Sequence, residues 1–291
     1  MAVHAHPDDE SIGTAGTLAR YADEGLHTAL VCCTRGEEGE IHDPALDAGE
    51  ARPRLGEIRE GELRTAVAVL RIETLRVLPY RDSGMAGSAA NVDPRGFVQA
   101  DPLAAAALLA RIIRDLRPQV VVTYDPGGGY GHPDHVMTHN VTTLAIARAA
   151  RPDALDGGHA HGDAPWQVQK LYYPAMPLSR LAWVNARMQE RGLAAPFDLR
   201  DQSHDLRQLA VPDERIGARV AVPGYLDRIR TAMSAHRTQL GQDDVLLSLP
   251  RDLAARLFGV ESYIRAWSRV PVPDHEDDLF AGLRETEGQR A

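Results

Sequence analysis

Short apolar segments alternate with amphipathic helices through the first half of this chain. Segments such as "TALVCCT" (28–34) are apolar throughout, which is typical of strands covered by helices on both faces. This alternation predicts the α/β class, with a Rossmann-like, mostly parallel sheet flanked by helices. The predicted strands are the residues before Pro7, 28–34, 74–80 and 119–124, and the predicted helices are 14–25, 57–70 and 102–116.

The pattern is looser after residue 150, yet no linker or repeat divides the chain. We therefore expect a single domain over 1–291, in which 1–150 form the Rossmann-like core and 165–291 a C-terminal elaboration that completes the fold and the substrate cleft. The later segments are a polar insertion at 151–166, strands at 167–175 and 218–222, a helix at 224–240, and an extended, increasingly polar tail at 268–291.

The composition argues against several classes of partner. A net charge of −9 disfavours nucleic acid and anionic membranes, since both need clustered basic residues. No apolar run approaches the roughly 20 residues of a membrane span, and no signal peptide is visible. Cys32 and Cys33 are adjacent, so we expect them to be small core residues in a cytoplasmic protein. The sequence does not decide whether the protein forms a homo-oligomer. It also leaves open a native start upstream of Met1, because strand one is short.

Two motifs of histidine and aspartate follow predicted strands. "HPDD" (6–9) comes after strand one, and "GHPDH" (131–135) comes after strand four. Because ligands bind outside the carboxyl ends of parallel strands, we expect the two motifs to meet at one edge of the sheet. A catalytic zinc site needs three nitrogen or oxygen ligands and an open position, which these motifs can supply. The residues that they offer are His6, Asp8, Asp9, His132, Asp134 and His135.

Other interpretations stay open. Each motif alone could be a capped turn with histidines on a polar surface. An iron site of two histidines and one carboxylate is disfavoured, because the spacing here is His-x-x-Asp in an alternating α/β chain.

We expect His139 to be a polar partner of the site or a packing residue, and the histidines of 159–161 to lie in a solvated loop. The glycines at 127–129 would allow flexibility and close backbone approach, and Ser83 is not in a G-x-S-x-G elbow.

Four segments carry a resemblance to a known family. "AVHAHPDDES", "TRGEEGE", "RDSGMAG" and "YDPGGGYGHPDH" resemble the LmbE/PIG-L superfamily of zinc-dependent N-deacetylases. The resemblance is strong over 2–150, patchy over 167–240 and weak in the tail. It is closest to two mycothiol-pathway enzymes, the deacetylase of N-acetyl-glucosaminyl-inositol and the mycothiol S-conjugate amidase. "RDSGMAG" favours the deacetylase, whereas "DLFAGL" in the tail favours the amidase.

The resemblance implies a metal centre with one divalent ion per chain. By the family's pattern, His6, Asp9 and His135 would hold Zn²⁺, for which Fe²⁺ is a possible substitute. Asp8 would be the general base that takes a proton from the attacking water. The implied enzyme is a metal-dependent hydrolase of linear amides.

The resemblance also assigns three residues of the second motif. His132 would be the general acid that protonates the leaving amine, and Tyr130 would help to stabilise the oxyanion. Asp134 would orient a neighbouring histidine. His132 must start protonated in this role, so we expect a carboxylate such as that of Asp134 to raise its pKa.

The expected substrate is a small amino-sugar glycoside. Arg59, Asp82 and Glu40 match family positions that contact the sugar or inositol hydroxyls. We expect removal of the acetyl group from N-acetyl-glucosaminyl-inositol. The alternatives are the S-conjugate amidase, another N-acyl-glucosaminide deacetylase and, more remotely, a sugar-binding protein without turnover.

Overall fold

The computed structural model describes residues 1–152, 164–197, 199, 210–241 and 243–284. Within these ranges an eight-stranded sheet is flanked by helices. The strands are β1 (Ala2–His4), β2 (Ala29–Thr34), β3 (Thr74–Tyr80), β4 (Val120–Val122), β5 (Lys170–Pro177), β6 (Ala210–Val211), β7 (Ala218–Ala221) and β8 (Val260–Ser268). The helices are α1 (Asp9–Gly13), α2 (Ala15–Asp23), α3 (Ala48–Ala51), α4 (Leu55–Leu70), α5 (Pro102–Leu116), α6 (Gly128–Gly131), α7 (Pro133–Ala149), α8 (Leu178–Glu190), α9 (Leu226–Ala235), α10 (Val245–Ser248) and α11 (Arg251–Phe258).

The order of the strands places β1 and β4 side by side inside the sheet. The order is β3-β2-β1-β4-β5-β8-β7, with β6 paired to β5. The first five strands are mutually parallel, and β8 runs antiparallel between β5 and β7. The predicted α/β class with a mostly parallel sheet is therefore confirmed. The order reverses between β1 and β4, and such a reversal opens a crevice at the carboxyl ends of the strands.

Alternating side chains on the parallel strands build two cores, one on each face of the sheet. Val3 and Val31 pack with α5 and α7 on one face, whereas Leu30 packs on the other with α2 and α4. Cys32 and Cys33 continue this alternation, so they point to opposite faces. Both are buried and free, which confirms their prediction as core residues. No described helix combines the length and the apolar composition needed to cross a bilayer.

The predicted elements fit best in the first half. The strand predicted at 74–80 and the helix predicted at 102–116 have the same bounds in the structure. Asp101 caps that helix by accepting a hydrogen bond from the backbone N–H of Leu103, ahead of a proline at its first position. The helix predicted over 224–240 ends earlier, at Ala235. Helix α8 and strand β8 were not predicted.

The chain end is not a solvated extension up to residue 284. Glu276 is buried and accepts hydrogen bonds from the Nζ of Lys170, from Tyr172 (2.8 Å) and from Arg265 (2.7 Å). Leu279 is buried in the core on the α2 face. The segment predicted as an extended, increasingly polar tail therefore forms no further helix or strand over 269–284, but its buried carboxylate and these partners fix it to the sheet. Residues 285–291 lie outside the described part.

Candidate metal centre and active site

Both histidine–aspartate motifs fold as junctions between a strand and a helix. His6 follows β1, and α1 begins three residues later at Asp9. Helix α7 begins at Pro133, where proline is favoured because its missing N–H has no partner within a helix. The ring of His132 caps this helix, since its Nδ1 accepts a hydrogen bond from the backbone N–H of Asp134 at 3.1 Å. Because β1 and β4 are neighbours, the two junctions meet at the crevice.

Three side chains place their donor atoms close together where the junctions meet. His6 Nδ1 lies 3.3 Å from His135 Nε2 and 3.6 Å from Asp9 Oδ2, and Asp9 Oδ1 lies 3.5 Å from His135 Nε2. Ligands bound about 2.0–2.1 Å from a tetrahedral zinc ion lie about 3.3 Å from one another. The distance between the two histidine nitrogens matches this spacing, and Asp9 reaches one ring with each of its oxygens, so the three side chains lie close enough together to hold a divalent metal. The structure thus brings together the predicted ligand set.

Hydrogen bonds on the far side of each ring fix the histidine tautomers. His135 Nδ1 lies 3.1 Å from the carbonyl oxygen of Gly128, which can only accept, so Nδ1 carries the hydrogen. His6 Nε2 faces Asp134 at 3.3 Å and Asp82 at 3.5 Å. A histidine that donates its outer N–H in this way presents a lone pair on the other nitrogen, as metal-binding histidines do. The chemistry of the donor atoms therefore also fits a metal.

Close backbone approach supports one of these rings. Gly128 has a φ of +67°, and a β-carbon there would lie 2.8 Å from the backbone nitrogen of Val136. Only glycine lets this loop pack against α7 and place its carbonyl on His135. The expected close approach of the glycine run is thus observed at this position.

Carboxylates outnumber the cations around the cluster. The side chains of Asp82 and Asp134 are buried there, those of Asp8 and Asp9 are mostly buried, and the guanidinium of Arg59 contacts Asp8. Burial raises the pKa of Asp8 to about 6, although Arg59 lowers it. Such an excess of buried negative charge is costly unless a cation balances it. A divalent ion between the three donor atoms would supply that charge.

His6 itself supplies positive charge by binding an additional proton. Burial opposes protonation, but the carboxylates of Asp82, Asp134 and Asp9 outweigh it and raise the pKa of His6 well above its usual value. Since Nε2 already donates toward the carboxylates, the additional proton lies on Nδ1, the nitrogen that faces Asp9 and His135. Metal binding would displace this proton, because a ligating histidine must be neutral.

Asp8 adopts an unusual backbone conformation beside the three donor atoms. Its φ is +115° and its ψ is −32°, outside the regions that residues with a β-carbon commonly occupy. Its Oδ2 lies 3.0 Å from the Nη2 of Arg59. Because neighbouring aspartates diverge here, Asp9 turns toward the histidines while Asp8 turns toward Arg59.

Asp134 serves His6 rather than His132. Its Oδ2 lies 3.3 Å from His6 Nε2 and accepts a hydrogen bond from the backbone N–H of Ser83 at 2.8 Å. Burial, His6 and His135 lower the pKa of His132 to about 4, although Asp134 and Asp82 act in the opposite direction. Asp134 thus acts on the pKa of His132 in the expected direction, but burial and the two other histidines outweigh it. Neutral His132 carries its hydrogen on Nε2, since Nδ1 accepts from the backbone.

Of the three residues predicted to contact substrate, Arg59 and Asp82 are buried and Glu40 is exposed. Arg59 is 3% exposed and donates to the carbonyl oxygens of Gly36 and Pro7, both at 2.6 Å. Asp82 is 3% exposed and accepts from the backbone of Gly84 at 2.8 Å. These hydrogen bonds brace the site from within, whereas the Nε of Arg59 is buried without a hydrogen-bond partner. The Glu40 side chain is 81% exposed and pairs with His42, so it lies on a surface loop.

Tyr130 lies at the edge of the cluster, as its predicted role requires. It is half-buried, and its ring centroid lies 4.9 Å from that of His135 and 6.3 Å from that of His132. Among the remaining candidates, His139 binds the carbonyl oxygen of Tyr124 at 2.9 Å and acts as a packing residue. The histidines of 159–161 lie outside the described residues.

Sequence reasoning missed two supports of the motifs. Tyr124 donates a 2.6 Å hydrogen bond to Asp9 Oδ2, and Glu10 forms a buried pair with His236 at 2.7 Å. The position of Tyr124 at the carboxyl end of a strand beside β1 was a usable signal. Nothing in the sequence linked Glu10 to a histidine 226 residues away.

Comparison with known proteins gives one family. Residues 1–146 match the sequence profile described as PIG-L, GlcNAc-PI de-N-acetylase. A 1D-myo-inositol 2-acetamido-2-deoxy-alpha-D-glucopyranoside deacetylase of Geodermatophilus obscurus is 42% identical over 97% of this chain and 97% of its own length. The enzyme of the same name from Thermomonospora curvata is 44% identical over 97% and 95%.

A solved structure agrees on the fold. The N,N'-diacetylchitobiose deacetylase of Pyrococcus horikoshii matches with a TM-score of 0.58 over 91% of this chain and 82% of its own. Its sequence identity is 19%, so this likeness concerns the fold alone.

Proposed function

The chain belongs to the PIG-L family of de-N-acetylases, and from this premise we propose that it removes the acetyl group from an N-acetyl-glucosaminyl-inositol in the cytoplasm. The names of its full-length relatives support this substrate. The S-conjugate amidase is the competing activity. A sugar-binding protein without turnover is disfavoured, because such a protein would not need three convergent metal ligands beside a strained carboxylate.

We assign the metal ligands to His6, Asp9 and His135, with zinc as the proposed ion. A divalent metal at this position lowers the pKa of a coordinated water and polarises the amide carbonyl. Asp134 orients His6 from behind, and the Gly128 carbonyl orients His135. The protein therefore contributes fixed tautomers and a fixed spacing of the donor atoms.

Asp8 takes the proton as water attacks the amide carbon. A new C–O bond forms in this step, and the Arg59 guanidinium holds the base in place at 3.0 Å. The C–N bond then breaks as His132 gives its Nε2 proton to the departing amine nitrogen, and the proton that Asp8 took from the water passes to His132, so that both residues end as they began. Tyr130 donates to the oxyanion from the edge of the cluster. The products are acetate and the free amino sugar, so the atoms of one water are consumed.

One observation carries this proposal: the side chains of His6, Asp9 and His135 approach one another to 3.3–3.6 Å, and Asp8 directly precedes Asp9 in the chain. The general base of a hydrolase must lie within reach of the water that it activates. A structural metal site would be closed by a fourth protein ligand and would not need an adjacent carboxylate held in an unusual backbone conformation.

A substrate comparison tests the proposal. Purified zinc-loaded protein is incubated with N-acetyl-glucosaminyl-inositol and, separately, with a mycothiol S-conjugate, and the free amine is quantified. We expect a higher kcat/KM for the acetylated sugar. A higher kcat/KM for the S-conjugate would assign the chain to the amidase instead, and no amine from either substrate would reject the hydrolase. Asp8→Asn with full metal content controls for contaminating activity.

A further inference from the structure

The backbone of Asp8 needs support from its surroundings. Among the described residues, Arg71 and Arg117 are the other non-glycine positions with positive φ, at 58° and 49°. Both end helices in the left-handed region, where such caps are common. Asp8, at 115°, lies outside that region. A conformation of this kind persists only where neighbouring groups determine it, and it is frequent at functional sites.

Glu10 provides that support. Its Oε2 accepts a hydrogen bond from the backbone N–H of Asp8 at 3.0 Å, and its Oε1 accepts one from the Ser11 hydroxyl at 2.5 Å. The turn is closed by the Ser11 N–H, which donates to the Asp8 carbonyl at 2.9 Å. The Glu10 carboxylate is fully buried, so its own position depends on a buried partner.

That partner comes from the other end of the chain. His236 follows α9, is fully buried, and places Nε2 at 2.7 Å from Glu10 Oε1. Burial opposes protonation of His236, but Glu10, Asp8 and Glu62 outweigh it and raise its pKa. Position 236 lies beyond residues 1–146, the part that matches the family profile.

We propose that His236 is a positioning residue for the general base, acting through Glu10 on the backbone of Asp8. The proposal rests on the proposed function, in which Asp8 takes the proton. His236 holds the Glu10 carboxylate, the carboxylate holds the N–H of Asp8, and Asp8 is thereby kept at its unusual φ. The C-terminal elaboration thus contributes to catalysis through this chain of hydrogen bonds.

Two substitutions at this position test the proposal. In His236→Ala the kcat for acetate release should fall about 10²-fold, the usual cost of displacing a catalytic group by about 1 Å. Metal content and KM should stay at the wild-type values, because His6, Asp9 and His135 are untouched. In His236→Gln the side-chain amide can still donate to Glu10 Oε1, so most of the lost kcat should return.

A matched control separates positioning from a general loss of stability. Glu276→Gln removes a buried carboxylate from the pair with Lys170, away from the crevice. It should lower the melting temperature and leave kcat unchanged. A wild-type kcat in metal-loaded His236→Ala would overturn the proposal, as would an equal loss of kcat in Glu276→Gln. If His236→Ala does not fold, His236→Asn takes its place in the experiment, because the shorter side-chain amide of asparagine cannot reach Glu10. Equal kcat values in His236→Asn and His236→Gln would then overturn the proposal.

A crystal structure of the His236 variant gives a readout that does not depend on turnover. The φ of Asp8 should leave the positive range when the partner of Glu10 is lost. Retention of φ near the wild-type value would contradict the positioning role, whatever the activity. Failure of the proposed function is recognised separately, because wild-type protein would then release no acetate. If wild type is active and Asp8→Asn is not, an unaffected His236 variant rejects the positioning role alone.

Discussion

Tyr124 holds Asp9 through a single short hydrogen bond. Its hydroxyl donates to Asp9 Oδ2 at 2.6 Å and accepts from the backbone N–H of Ala5 at 2.8 Å, so the phenol links β4 to the turn after β1. The backbone N–H of His6 also donates to Oδ2, at 2.8 Å. Both donors use the same oxygen, which leaves Oδ1 turned toward His135. The Tyr124 ring stacks on His135 with centroids 4.0 Å apart, so one residue orients two proposed ligands.

Tyr124→Phe should therefore weaken metal binding. The expected loss is about 10–100-fold in affinity, as is usual when a group that orients a metal ligand is removed. Zinc dissociation constants measured by competition with a chelator check this. Tyr80→Phe, whose ring packs on Phe97 at the end of β3, is the matched control and should bind zinc as wild type does. Equal affinity in both variants would show that the hydroxyl has no part in the metal site.

Asp8 and Asp9 should differ when each is changed to asparagine. Asp8→Asn cannot accept a proton, so kcat should fall by roughly 10²–10⁴, typical of a lost general base, with metal retained. Asp9→Asn should lose metal instead and should recover part of its activity in added zinc. Elemental analysis followed by kinetics on both variants checks this. Metal loss in Asp8→Asn with retention in Asp9→Asn would mean that the ligand and the base are assigned the wrong way round.

His132 should titrate far below a free histidine in metal-free protein. Its pKa is lowered from 6.5 to about 4, chiefly by burial and then by His6 and His135, so the ring is neutral at pH 7. Because unfolded His132 binds its proton at a higher pH than folded His132, its contribution to the free energy of unfolding falls as the pH drops from 6.5 toward 4. Nitrogen-15 NMR of the ring checks both the pKa and the hydrogen on Nε2. A midpoint near 6.5 would contradict the environment described.

Local patterns in the sequence were sufficient to predict the parallel core and to predict that the two motifs meet. Strand β2 is apolar throughout because it is buried on both faces, and the carboxyl ends of β1 and β4 share an edge because parallel strands must. The two motifs offered six candidate ligands, and it was the resemblance to the LmbE/PIG-L superfamily that singled out His6, Asp9 and His135 among them.

Features that depend on distant contacts were not predictable. The sequence places Arg59 on a helix but does not reveal that its guanidinium turns inward to the carbonyl oxygen of Pro7. Strand β8 shows no regular alternation of polar and apolar residues, and its insertion between β5 and β7 follows from antiparallel pairing across the chain. The Glu10–His236 pair likewise exists only after α9 has packed against α1.

The most direct test is a titration of metal-free wild-type protein with zinc while acetate release from N-acetyl-glucosaminyl-inositol is measured. Activity should be near zero without metal, rise in proportion to added zinc and level off at one equivalent per chain, and His135→Ala should show no such rise. Metal-free protein that releases acetate as fast as loaded protein would contradict a metal-dependent deacetylase at this site, as would the absence of acetate at every metal concentration.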